Sequence, residues 1–203
     1  MAVIAVVGLL AALIFPGVSA AQRAAAKART RVQFNQWAAA IESFRSEYGY
    51  YPAFHSSGLV NPSGQNPSPD SLHLFHDLLA AKRRDGSALP AFGPGTGNQD
   101  PEAQNRKLIR FYSFADSDFT GAAAPTPNLL QDASGNTEIA VVVDANLDGV
   151  IDASDCGGVL PAVNGLTPGT TDIPSAGVRS GVIFYSPAPG ATSANPEFVF
   201  SWK

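Results

Sequence analysis

MAVIAVVGLLAALIFPGVSAAQRAAAKARTRVQFNQWAAAIESFRSEYGYYP, residues 1–52, decides how the chain is read. From Met1 to Gln22 only Ser19 and Gln22 are neither apolar nor small, and the first charge is Arg23. At about 1.5 Å per residue a helix of this length crosses most of a ~30 Å hydrocarbon core. Beyond it, Phe34, Trp37, Ile41, Phe44 and Tyr48 recur in steps of 3, 4, 3 and 4, which draws one stripe on a helix. Alanines between residues 20 and 40 favour helix throughout. Gly49 suits a left-handed cap and Pro52 bars continuation, so the helix is expected to stop at Tyr48.

Working outward, the whole chain is weakly acidic, at net charge −4 over 203 residues. It carries no basic footprint for nucleic acid. The basic cluster Arg23, Lys27, Arg29 and Arg31 sits where a membrane helix would leave the hydrocarbon, facing phosphate headgroups. Cys156 is the only cysteine, which excludes an intrachain disulfide. It reads as a small loop residue.

Residues 53–70 read as a Pro-punctuated polar loop, and a short helix is expected over about 71–84, capped by Asp70 or Ser71. Strands are expected at Lys107–Phe114, Thr137–Asp144, Gly181–Ser186 and Glu197–Trp202. Residues 86–106 and 157–179 read as loop. The plan is α+β: a long helix, a short helix, then a small antiparallel sheet on the second half of the long helix. Phe198, Phe200 and Trp202 share one strand face, expected to cover that helix.

The sharpest local chemistry follows the second strand. Asp144, Asn146, Asp148, Val150 through its carbonyl, Asp152 and Asp155 fill positions 1, 3, 5, 7, 9 and 12 of an EF-hand-like loop, with Gly149 at the sharp turn. Four carboxylates in twelve residues repel, and a calcium ion removes that cost. Asp155 replaces the usual glutamate, and no helix pair flanks the loop, so a structural Ca2+ on a β scaffold is expected. The alternative is an Asp/Asn/Gly turn without metal.

Signals for catalysis are absent. His73 and His76 lie three apart and read as solvent-exposed, without a carboxylate or cysteine set for zinc. Gly93-Pro-Gly95-Thr-Gly97 follows no expected strand. There is no Gly-x-Ser-x-Gly and no Walker sequence. No enzyme activity is expected.

The order apolar run, Pro16, amphipathic helix and Gly49-Tyr50-Tyr51-Pro52 resembles type IV pilin-like proteins, in particular the major pseudopilins of type II secretion. The resemblance covers residues 1–52 well and the rest loosely. It implies a pilin-like fold: a half-helix at 1–22 serving as membrane span and filament core, and a periplasmic head at 23–203 with its amphipathic half-helix at 23–48. It also implies a calcium site in the C-terminal loops, which agrees with 144–155. The function implied is a structural subunit of a type II secretion pseudopilus or type IV pilus-like filament. Its partners would be further pilin-like subunits, inner-membrane lipid before assembly and, indirectly, secreted proteins. Its location would be the bacterial inner membrane, single-pass. Charge alone, being basic only after the apolar run, points the head to the cytoplasm; the family's basic leader offsets this. Met1 falls inside the family's apolar run, so the chain is expected to begin late, with the leader, its cleavage site and the glutamate near the mature start lying ahead of it.

The second reading is a secreted or periplasmic calcium-binding domain, cut after Val18-Ser19-Ala20, a small-residue cleavage pattern that lacks a basic n-region. An enzyme tethered by the helix is a third.

Overall fold

The computed structural model describes residues 2–55, 57–61, 72–93, 96–121, 128–169 and 172–203, with the backbone alone described for residues 2–17 and 153. Three helices and a three-stranded sheet are named in chain order: α1 (Ala2–Tyr48), α2 (Leu74–Ala80), α3 (Pro101–Gln104), β1 (Ala140–Val143), β2 (Val182–Pro187) and β3 (Phe198–Phe200). The sheet order is β1-β2-β3, antiparallel throughout. The chain is therefore α+β, with one long helix laid against a small sheet.

The apolar stripe decides how α1 lies. Phe34, Trp37, Ile41 and Phe44 are wholly buried and Tyr48 is partly so. Period-2 alternation in the strands meets the stripe: Ile139, Val141, Val182 and Phe184 turn toward α1, joined by Phe75, Leu78 and Leu79 of α2. Phe184 stacks on Phe34 with ring centroids 5.6 Å apart and meets Trp37 edge-on at 5.7 Å. The helix ends as its sequence requires, with Gly49 at φ +82° and its N–H donating to the Arg45 carbonyl at 2.7 Å. The backbone stays helical through Pro16, although proline brings no amide hydrogen to that turn.

The turn after α1 is locked by two buried amides. Asn105 receives the Tyr48 hydroxyl at 2.7 Å and donates to the Leu78 and Ile109 carbonyls, which ties the end of α1 to α2. Gln104 exchanges hydrogen bonds with both backbone groups of Ala53. All of these buried polar atoms thus have partners.

Several sequence expectations are corrected. Helix α2 covers seven residues rather than 71–84; Ala81 is left-handed at φ +54° and Lys82 turns back to bridge Ala88. The caps expected at Asp70 or Ser71 lie outside the described residues. Lys107–Phe114 forms no strand. The N–H groups of Phe111 and Tyr112 instead donate to the Leu79 carbonyl at the end of α2, which leaves this segment as a strap over the helix side. Phe198, Phe200 and Trp202 do alternate, but on the sheet face away from α1. There they join Ile151, Val163, Ile173, Val178 and Tyr185 in a second core. His76 is buried at 3% exposure, its Nδ1 2.7 Å from Asp77 Oδ1 and its ring beside Phe114 and Phe119, and is not solvent-exposed. His73 is half-buried, and burial pushes its pKa down against the pull of Asp77.

Among the described residues no helix is long and apolar enough to cross a membrane. The span expected over residues 1–22 falls mostly outside the residues whose side chains are described.

Candidate functional site

Two regions carry chemistry beyond packing: the part of α1 that the head leaves uncovered, and the acidic loop after β1.

Every residue from Val18 to Ala25 is exposed, Val18 at 47%. The head approaches α1 at Arg23, whose guanidinium carbon would lie 4.0 Å from a Cβ on Gly190, and Lys27 forms an ion pair with Glu197. Among the residues whose side chains are described, Thr30 is the first that is fully buried, its hydroxyl 3.4 Å from that of Ser134. Farther on, Gln33 donates to the Gln131 carbonyl at 3.1 Å, while its Oε1 is buried without a hydrogen-bond partner. A cleft of about 590 Å³ opens between this part of α1 and the head, lined by Arg29, Val32, Gln36, Tyr112 and Asp118 among others. Val32 stands 56% exposed at its rim.

The acidic loop begins where the last ladder bond of β1 ends. Asp144 N–H donates to the Gly181 carbonyl at 3.0 Å. Its carboxylate is 1% exposed and turns inward, Oδ1 accepting from Asp148 N–H at 3.1 Å and Oδ2 from Gly149 N–H at 2.9 Å. Asn146 Oδ1 accepts from Asp148 N–H at 3.0 Å, and its amide donates to Asp148 Oδ2 at 3.1 Å. Gly149 takes φ +83°, the sharp turn expected at position 6. Ile151, at position 8, is wholly buried and exchanges both backbone bonds with Val178 at 2.8 Å. Asp155 closes the ring, with Oδ1 on Ala145 N–H and Oδ2 on Asp152 N–H, both at 3.0 Å.

So the structure brings Asp144, Asn146 and Asp148 together and fastens Asp155 to the start of the loop. Asp152 turns elsewhere. The Ser154 hydroxyl and N–H hold its carboxyl below the usual range. Val150 N–H donates to Asp148 Oδ1 at 2.8 Å. Burial, and then the charges of Asp155 and Asp152, push the Cys156 thiol up and disfavour the thiolate. Among the described residues no three His, Cys, Asp or Glu side chains converge as a metal-holding group. The carboxylates face loop N–H groups rather than one common centre. The donor set is nonetheless all oxygen, the chemistry of a hard cation rather than zinc.

Sequence reasoning missed the segment that supports this loop. Residues 157–179 read as featureless, yet a Cβ on Gly177 would lie 2.3 Å from Val150 Cγ1 and 2.9 Å from the Ile151 carbonyl. Only glycine at φ +72° lets this segment close on the loop. The Pro174–Gly177 turn was the available signal.

No family model, no curated protein and no solved structure matches the chain.

Proposed function

We propose that this chain is a structural subunit of a pilin-like filament, a type II secretion pseudopilus or a type IV pilus-like fibre, assembling through α1. One observation carries the reading. Helix α1 is a single helix from Ala2 to Tyr48, and among its residues whose side chains are described, from Val18 on, the head leaves Val18–Ala25 exposed and covers the stripe farther along. A helix whose opening sequence is apolar and which its own head leaves bare from Val18 to Ala25 calls for an outside partner. Lipid satisfies it before assembly, and neighbouring helices after. The membrane is the bacterial inner membrane and the head stands in the periplasm, as the resemblance implies.

Calcium fits the same reading. Asp144, Asn146, Asp148, Asp152 and Asp155, with the Val150 carbonyl, would hold it after their carboxylates rotate off the loop N–H groups. The ion would supply charge neutralisation and stiffen the loop that Ile151 and Gly177 anchor to the second core. No chemistry is carried out there; the work of the chain is mechanical.

The test uses the full chain purified in mild detergent. On removal of detergent, electron microscopy is expected to show fibres of uniform width. A monodisperse or amorphous product under all conditions overturns the filament reading. The alternative, a secreted or periplasmic calcium-binding domain, keeps its head intact when cut after Ala20, because Val18–Ala25 touch little of it. N-terminal sequencing of protein from its own host that returns Ala21 as the first residue establishes that alternative.

A further inference from the structure

Charge is sorted along this molecule. From Val18 to Ile41 the chain carries Arg23, Lys27, Arg29 and Arg31 and no carboxylate. From Phe111 to Val178 it carries nine Asp and Glu and no Lys or Arg, and five of the nine fall between Glu138 and Asp155. Among the described residues, Lys27 alone of the four helix cations has an ion pair, with Glu197. In the acidic loop, Asp148, Asp152 and Asp155 take hydrogen bonds from backbone, hydroxyl and amide groups and none from a cation. Each surface also presents bare aliphatic side chains. Val18 and Val32 lie on the helix; Leu147, 52% exposed at φ +63°, stands at the loop's tip.

The two surfaces cannot meet within one copy. The loop shares a cavity wall with Tyr50, Tyr51 and Pro52, just beyond the C-terminal end of α1. The cations lie some twenty residues earlier, and at ~1.5 Å per residue that is about 30 Å along the axis. A second copy shifted by that distance along the helix brings them together. Such a contact joins different patches on the two partners, so repeating it leaves an open end and builds a fibre rather than a closed dimer.

We propose that the exposed face of α1 around Arg29–Val32, on the side away from the Asp118 carboxylate of the neighbouring cleft, is the docking site for the acidic loop of a second copy. Asp148 and Asp152 meet Arg29 and Arg31, and Leu147 covers Val32. This rests on the filament reading and names the surface that sets its stagger. A calcium ion in the loop leaves the complementarity in place, since four carboxylates against one divalent cation still sum to −2. The charges act chiefly on the rate and salt dependence of association, and the aliphatic contacts on its lifetime.

The test follows self-association of the full chain in neutral-detergent micelles, with equal divalent ion in every arm. Wild type is expected to weaken about tenfold as salt rises from roughly 0.05 to 0.5 M, because the screening length falls several-fold over that range. Arg29→Glu with Arg31→Glu should lose about tenfold at low salt, and Asp148→Lys with Asp152→Lys likewise. Mixing the two reversed variants should restore the affinity. On a Cys156→Ser background, Arg29→Cys and Asp148→Cys chains should form a disulfide-linked heterodimer when mixed. Wild-type chains that never associate sink the filament reading and this proposal together. Wild-type chains that associate while both reversed variants do so equally, with no heterodimer, sink this proposal alone. Binding to anionic phospholipid vesicles that Arg29→Glu with Arg31→Glu abolishes, with self-association unchanged, also overturns it and gives the cations to lipid headgroups.

Discussion

The two described ends of α1 are the same helix under opposite conditions. From Thr30 to Tyr48 the stripe side chains are buried among phenylalanines of α2 and the sheet. From Val18 to Ala25 every residue is exposed, although the helix continues without a break. Helix propensity alone keeps neither end in place, since most helical stability in proteins comes from packing an apolar face. The difference teaches that the head is stabilised by the stretch of α1 from Thr30 on and leaves Val18–Ala25 exposed, the stretch that the proposed assembly gives to neighbouring copies. Changes in the two stretches should therefore report different properties, stability for one and assembly for the other.

The largest contrast is between Trp37 and Val18. Trp37 is wholly buried and contacts Phe34, Phe75, Phe114 and Phe184, so Trp37→Ala should lower unfolding free energy by about 3–5 kcal/mol. Val18→Ala should stay within roughly 0.5 kcal/mol of wild type in the same thermal or denaturant melt. Equal losses at both positions would mean that the head covers Val18 after all.

Next comes the acidic loop. A ligand bound only by the folded chain raises stability by about 2.7 kcal/mol at a hundredfold excess over its Kd. Chelation of calcium should lower the melting midpoint accordingly, and Asp144→Asn should remove the dependence. An unchanged midpoint would leave the loop as the hydrogen-bonded Asx turn that the geometry already makes.

Gly181 sharpens the comparison at the far end of α1. A Cβ there would sit 1.8 Å from the Tyr51 hydroxyl oxygen and 2.2 Å from Glu42 Oε1. Tyr51 in turn bridges Glu42 at 3.0 Å and Arg45 at 2.6 Å. Gly181→Ala should cost about 1–3 kcal/mol by overpacking. Adding Tyr51→Phe, which removes the clashing oxygen, should recover part of the loss, and a strictly additive pair would reject this account.

The smallest effect is alkaline. Burial, then the hydrogen bond to Glu42, raises the Tyr51 pKa to about 12 from its ordinary 10.0. The folded state thus holds the proton more tightly than the unfolded one. The stability this contributes is fully present below pH 10 and fades as pH climbs from about 10 through about 12. Tyr51→Phe should flatten that part of a stability–pH curve. The side chain is partly open to solvent, which screens the effect.

What could be read from residues alone follows the same division. The stripe at Phe34, Trp37, Ile41 and Phe44 and the stop at Gly49 were legible because both are local: a period and a cap. Three of the expected strands were found, β1 and β3 shorter than expected and β2 of equal length but one residue later, because β-branched runs mark a strand but pairing partners decide its ends. Phe198 and Phe200 alternated as expected, yet faced the second core, since period 2 tells that side chains share a face and not which face a helix will cover. Lys107–Phe114 had strand composition, but the Leu79 carbonyl took its N–H groups before any strand could. His76 looked like a surface residue because nothing in its spacing reveals that Phe114 and Phe119 close over it. In the acidic loop Asp144, Asn146 and Asp148 are hydrogen-bonded neighbours, as their close spacing allows, while the turn of Asp152 toward Ser154 depends on a 3-10 helix, Ala153–Cys156, that the sequence does not announce.

The central claim is that the bare stretch of α1 is a contact between copies. Cysteine accessibility tests it most directly, with Val18→Cys and Ala25→Cys placed singly on a Cys156→Ser background and maleimide labelling followed before and after assembly. Fast labelling in dispersed chains and protection of at least about tenfold in the assembled material is the result expected of a helix face buried only by neighbours. Equal labelling in both states would contradict it.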